Sequence, residues 1–185
     1  MSREQEQEVV NACPTELFIG GKWQAAAGGK TLAVEDPATG TTLCEVADAS
    51  PADGETALDA AVAAQEEWAA TAPRERGEIL RRTYELMTEQ ADDLALLMTL
   101  EMGKPVSESK AEIAYAAEFF RWFAEEAVRI DGGYQVAPNG KGRFLVMRQP
   151  VGPCLLITPW NFPAAIAGPT LRVPIAVGKF QGVMK

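Results

Sequence analysis

The sequence contains no histidine. That removes the commonest general base near neutral pH and a frequent metal ligand. A Ser-His or Cys-His nucleophile pair therefore cannot operate within these 185 residues. Cysteine is scarce. Cys13, Cys44 and Cys154 are odd in number, far apart and in no ligand spacing, which points to free thiols and to no metal site. No apolar run is long enough to span a bilayer. The polar start, Met1-Ser2-Arg3-Glu4-Gln5-Glu6, carries no signal-peptide core, so the expected location is the cytoplasm. Basic residues are outnumbered, 17 Lys and Arg against 26 Asp and Glu, for a net charge of −9. That balance argues against nucleic acid and anionic membranes as partners. Neither a G-x-G-x-x-G nor a P-loop pattern occurs.

What is present suits a globular protein with its own core: 47% apolar and 23% charged residues. Residues 1–16 read as a flexible, polar N-terminus. Leu17 to Trp23 reads as two short strands about Gly20-Gly21, and Leu32–Glu35 with Thr42–Val46 as a second hairpin. Ser50-Pro51-Ala52-Asp53 is a helix start, with a Ser cap, Pro at the first position and an acid at the third. The helix behind it is expected to run to Ala70, with Leu58, Ala61, Val62, Gln65 and Trp68 near one face. Pro73 opens a helix with an apolar stripe at Ile79, Leu80, Thr83, Leu86 and Met87. Arg74, Arg76, Arg81 and Arg82 lie among acids and read as a solvated face. Ala91–Glu101 is the next helix, stopped by Gly103 and Pro105.

Ser107–Ile130 is the longest helical pattern, ended by Asp131-Gly132-Gly133. Ile113, Ala117, Phe120, Ala124 and Val128 recur at helical spacing, and Tyr115, Phe119, Trp122 and Phe123 are expected to widen that stripe into a core face. Tyr134–Val136 and Arg143–Arg148, about Pro138-Asn139-Gly140, form an exposed ribbon.

The stretch Cys154 to Pro163 follows. Leu155–Ile157 reads as a parallel strand buried on both faces. Pro159 and Pro163 bracket Trp160, Asn161 and Phe162, so a primary amide stands just past the C-terminal end of a strand, where open α/β sheets place ligands. An amide N–H there is suited to a developing oxyanion. A buried turn in which Asn161 caps the next helix accounts for the same residues, and spacing alone leans toward that turn.

Ile157-Thr158-Pro159-Trp160-Asn161-Phe162-Pro163 resembles the signature turn of the NAD(P)-dependent aldehyde dehydrogenase superfamily. Leu100-Glu101-Met102-Gly103-Lys104-Pro105, Ala111–Ala117 and Trp122–Glu126 resemble its succinate-semialdehyde dehydrogenase branch. The likeness runs from Leu17 to Pro163, in several blocks that keep the family's order. It implies an α/β chain forming an incomplete N-terminal part of the aldehyde dehydrogenase fold. Helices and β-hairpins over residues 17–131 would lead, through a β-ribbon of the oligomerisation element over 132–150, into the first strands of a Rossmann-like cofactor-binding domain over 151–185. It also implies oxidation of an aldehyde, with succinate semialdehyde preferred, to the carboxylic acid, with NAD or NADP as cofactor and a homo-oligomeric full-length form. Asn161 would be the oxyanion donor. Ile157, Thr158, Pro159 and Trp160 would line the cofactor channel, and Phe162 would border the aldehyde passage. Lys185 falls about where the family has a cofactor-facing lysine, and a frayed terminal lysine reads equally well.

In the family the nucleophilic Cys, general-base Glu and Gly-rich cofactor turn lie further along than residue 185. Cys154, in an apolar strand, is not that nucleophile. The expectation is therefore an N-terminal portion — a fragment, a truncated frame or a decayed copy — that is inactive alone. The alternative is a catalytically inactive subunit or interaction protein.

Overall fold

The structure is a computed structural model that describes residues 2–166 and the backbone of Gln181 and Gly182. Its order is α1 (Arg3–Ala12), β1 (Leu17–Ile19), β2 (Lys22–Gln24), β3 (Thr31–Asp36), β4 (Thr41–Ala47), α2 (Pro51–Ala70), α3 (Pro73–Glu89), α4 (Ala91–Met102), α5 (Val106–Glu126), β5 (Gly133–Val136), β6 (Arg143–Val146), β7 (Cys154–Leu155) and β8 (Gln181–Gly182). Residues 163–166 are helical as well. The fold is α/β: three antiparallel hairpins, β1–β2, β3–β4 and β5–β6, and one parallel pair, β7–β8.

The first difference from the sequence reading is at the start. Helix α1 stands where a frayed polar segment is expected. Its polarity hides a capping box: the Ser2 hydroxyl accepts from the Gln5 amide while the Gln5 side chain accepts from the Ser2 amide at 3.0 Å. Val10 supplies the helix's buried contact. Next, Gly20 and Gly21 carry positive φ of 59° and 79°, as a tight two-residue hairpin turn demands.

Helix α2 starts on the expected capping box, and its acid does more than cap. One Asp53 oxygen accepts from the Ser50 amide at 2.8 Å and the Ser50 hydroxyl at 2.7 Å. The other accepts from the Ala27 amide at 2.9 Å, tying the loop between β2 and β3 to the helix. The Ser50 side-chain bond, then the two backbone bonds, hold the Asp53 carboxyl below its ordinary value of 3.8. A lowered folded-state value stabilises the fold in full above the unfolded value and loses that contribution as pH falls through the folded one. Urea midpoints are therefore expected to drop on acidification below about pH 4. Asp53→Asn should lower the midpoint at neutral pH and flatten that acid limb. An acid limb of unchanged steepness in Asp53→Asn would remove Asp53 from this account.

The core lies between α3, α4 and α5. Leu80, Phe120 and Ala127 form one buried cluster, with Tyr84, Met87, Phe123 and Ala124 against it. Ala95, Met98 and Ile113 form a second, joined by Ala91, Leu94, Met102 and Ala164. Helices α3 and α5 approach closely at Gly77, where an added Cβ would sit 2.7 Å from the Ala124 carbonyl oxygen. Helix α4 ends on Gly103 in the left-handed region at φ 71°.

Several expected core positions are exposed instead. Leu58 and Val62 on α2, Ile79 on α3, and Tyr115 and Trp122 on α5 all face outward. The periodicity located the helices, but each buries a narrower stripe here than its apolar composition offers. Tyr115 packs edge-on against Phe119 rather than into the core, with ring centroids 4.6 Å apart. Helix α5 also ends at Glu126, four residues before the expected Ile130, and Gly133 opens strand β5 rather than closing the helix. Arg76 departs from its solvated neighbours. It is buried, its guanidinium donates to the Thr71 carbonyl at the end of α2, and burial lowers its pKa. Arg81 and Arg82 keep the solvated role, paired with Glu78, Glu85 and Glu89.

The ribbon β5–β6 is exposed along its whole length. Strand β7 covers Cys154–Leu155 rather than the expected Leu155–Ile157, and it pairs in parallel with β8 at Cys154↔Gln181 and Leu155↔Gly182. Leu155 and Ile157 are exposed, against the expectation of a strand buried on both faces. The cause is local: among the described residues β8 is the only strand beside β7, and the face that carries Leu155 and Ile157 stays open while Cys154 and Leu156 on the other face are partly covered.

Candidate functional site

The turn over residues 156–162 leaves β7 and enters the helical residues 163–166. Its two prolines set the backbone: Pro159 fixes φ within the turn, and Pro163 stands at the first helical position, where a missing N–H costs nothing. All of the sequence-derived candidates except Lys185 fall on this one loop. Ile157 and Trp160 are 85% and 82% exposed, Phe162 is half exposed, and Thr158 is partly covered. Asn161 is exposed. Its side-chain amide makes no hydrogen bond to a described residue. Lys185 lies outside the described residues.

The capping alternative for Asn161 is answered by a different residue. The Ala164 and Ala165 amides, the first free donors of the helical turn, both donate to Oε1 of Glu112, at 3.0 and 3.1 Å. Glu112 comes from the middle of α5, and its side chain is only 3% exposed. Its other oxygen, Oε2, lies 2.5 Å from Nζ of Lys104. That ammonium, on a side chain 14% exposed, also donates to the backbone carbonyl of Asn161 at 3.3 Å and lies 4.8 Å from the centre of the Phe162 ring. Each charge is thus paired, and both carboxylate oxygens are satisfied, which is what makes burial of the pair tolerable. Lys104 is placed by Gly103 and Pro105, which end α4 and open α5 on either side of it.

The arrangement leaves the Asn161 amide without a hydrogen bond among the described residues while fixing the backbone on both sides of it. The Asn161 carbonyl is held by Lys104, and the turn that follows is held by Glu112. An amide with free N–H donors on a fixed backbone is a preorganised donor to negative charge. The sequence reading did not find Lys104 and Glu112 as site residues, although both lie within the quoted blocks. A signal was present. Glu112 shares the buried face of α5 with Ser109, Ile113, Ala116 and Phe120, and a charged residue at such a position needs a partner.

Residues 23–181 match the model of the "Aldehyde dehydrogenase family". The chain belongs to the aldehyde dehydrogenase family. Among curated relatives, it is 56% identical over 136 residues to a succinate-semialdehyde dehydrogenase of Paenarthrobacter nicotinovorans, a match covering 74% of this chain and 30% of that one. It is 45% identical over 160 residues to the succinate-semialdehyde dehydrogenase [NADP(+)] of Escherichia coli K12, covering 84% of this chain and 33% of that one. Among solved structures, the betaine aldehyde dehydrogenase of Staphylococcus aureus, in complex with NAD+, superposes with a TM-score of 0.92 at 27% identity, covering 96% of this chain and 36% of that one. The chain thus spans about a third of the length of the aldehyde dehydrogenases it matches, and it forms the corresponding part of their α/β fold.

Proposed function

We propose that this chain supplies the oxyanion-donor and cofactor-facing turn of an aldehyde dehydrogenase that oxidises succinate semialdehyde to the carboxylic acid. The observation that carries the reading is the Asn161 side-chain amide, which has no hydrogen bond to a described residue and stands on a turn held by a buried ion pair. Asn161 donates an N–H to the oxygen of a carbonyl under nucleophilic attack, where negative charge develops. One such donor is typically worth about 3–4 kcal/mol of barrier. Phe162 borders the aldehyde passage, its ring fixed by the Lys104 ammonium.

The cofactor in this reading is NAD or NADP, which when bound accepts the hydride from the aldehyde carbon. The exposed apolar surfaces of Ile157 and Trp160, with Thr158 and Pro159 between them, suit a flat ring system and a ribose. Lys185 is kept as a candidate ribose ligand. The exposed ribbon β5–β6 offers unpaired strand edges for association with further copies, in keeping with a homo-oligomer, and we place the protein in the cytoplasm. The division into residues 17–131, 132–150 and 151–185 follows this reading.

The test is a chimera in which this chain replaces the matching segment of the Paenarthrobacter nicotinovorans relative. Oxidation of succinate semialdehyde with NAD or NADP is expected at a kcat/KM within about tenfold of that relative. A chimera that folds and assembles but oxidises no aldehyde would overturn the proposal.

A further inference from the structure

We propose that Lys104 and Glu112 are the positioning pair of the Asn161 turn, and that they act on the reaction through Asn161 alone. The statement that the turn is held by this pair rests on the structure. Its consequence for rate rests on the function proposed above.

The geometry gives each residue a separate task. Glu112 reaches from α5 and takes the two leading amides of the helical turn on one oxygen, at 3.0 and 3.1 Å. This does from a distance what an N-cap side chain does locally, and it satisfies donors that a helix leaves orphaned. The carboxylate also lies at the end of the helical turn where a negative charge is favourable. Lys104 reaches from the junction of α4 and α5. It joins the other Glu112 oxygen at 2.5 Å to the Asn161 carbonyl at 3.3 Å, so the charge pair is bonded directly to the backbone of the residue it positions. Phe162 closes the same ammonium from its ring face.

The pair is anchored in turn. Ile113, next to Glu112, packs with Ala95 and Met98, and Ala164 of the helical turn joins the same cluster. The Ser109 hydroxyl, one turn before Glu112, lies 2.9 Å from that of Thr99 and locks α5 to α4. The orientation of an exposed loop is thereby set by the buried packing of two helices. Neither Lys104 nor Glu112 needs to touch substrate to do this.

Amide hydrogen exchange on the 185-residue chain tests the holding role. In Glu112→Ala, exchange at Ala164 and Ala165 should accelerate by about tenfold or more, while Leu80 and Ile113 keep their protection. Glu112→Gln keeps an acceptor for the two amides and should restore most of the protection. Unchanged exchange at Ala164 and Ala165 in Glu112→Ala would overturn the proposal. So would acceleration spread equally over Leu80 and Ile113, since that reports global loosening. The chimera tests action through Asn161. There Glu112→Ala and Lys104→Met should each lower kcat by about tenfold or more, with smaller changes in KM for the cofactor. Added to Asn161→Ala, each should have little further effect. A full additional loss in the double variants would show that the pair acts other than through Asn161, and would overturn it. If Asn161→Ala leaves kcat unchanged, the oxyanion reading falls, and the exchange result still decides whether the pair holds the turn.

Discussion

In the chimeric dehydrogenase, Asn161→Ala is expected to lower kcat by about a hundredfold or more and to leave cofactor binding nearly intact. The split follows from where the amide stands. It is exposed, it has no hydrogen bond to a described residue, and its backbone is fixed by Lys104 at one side and by the Glu112-capped helical turn at the other. Removing the amide breaks no hydrogen bond among the described residues, so little loss of stability is expected. The bond it makes to the carbonyl oxygen strengthens as negative charge gathers there, so its loss falls on kcat. Cofactor contacts in this reading come from Ile157, Thr158, Pro159 and Trp160, which the substitution leaves in place. Asn161→Asp should be at least as damaging, because a carboxylate repels the developing charge. Steady-state rates under conditions where chemistry limits turnover decide the point. An unchanged kcat would remove Asn161 from the oxyanion position.

The residues that read well in the sequence are those whose local chemistry decides their conformation. Ser50-Pro51-Ala52-Asp53 started its helix because cap, proline and acid agree within one turn. Gly20-Gly21 made its hairpin because positive φ favours glycine. Gly103 ended α4 for the same reason. The misreadings lie where a distant partner decides. Helix α1 was hidden by its polar sequence, because its one buried side chain, Val10, gives no periodic signal. Tyr115 and Trp122 carry the apolar character of core residues and stand in the open. The apolar run after Cys154 reads as a strand buried on both faces, but two residues pair and Leu155 and Ile157 are exposed. The site was legible only in part. The Pro-Trp-Asn-Phe-Pro turn announces itself, whereas Lys104 and Glu112 stand about fifty residues earlier in the chain, and their roles depend on how α4 packs against α5. Asn161 reads in the sequence both as a donor and as a cap, and the carboxylate that takes the capping task lies on another helix.

A protein of these 185 residues alone is expected to show no aldehyde oxidation. The reason is chemical. Hydride leaves an aldehyde carbon readily only after a nucleophile has added to it and built a tetrahedral centre. The chain has three thiols, all partly buried, and none stands on the turn with Asn161. Cys13 closes the C-terminal end of α1, and its S–H donates to the Val9 carbonyl at 3.3 Å. Cys44 lies within β4, paired across the hairpin with Val34. Cys154 lies on β7, its sulfur 3.5 Å from the Gly152 carbonyl oxygen. A thiol attacks as its thiolate, and none of the three lies on the turn that carries Asn161. No histidine is available to take the proton. The measurement is formation of reduced nicotinamide from succinate semialdehyde, using chain purified free of host dehydrogenases. Mixing the chain with the remaining segment of the relative supplies a positive control, because activity regained there shows that the chain is folded and competent. Turnover by the isolated chain that follows the protein through purification and survives Cys154→Ala would overturn the expectation. It would require a nucleophile other than the thiol nearest in sequence to Asn161.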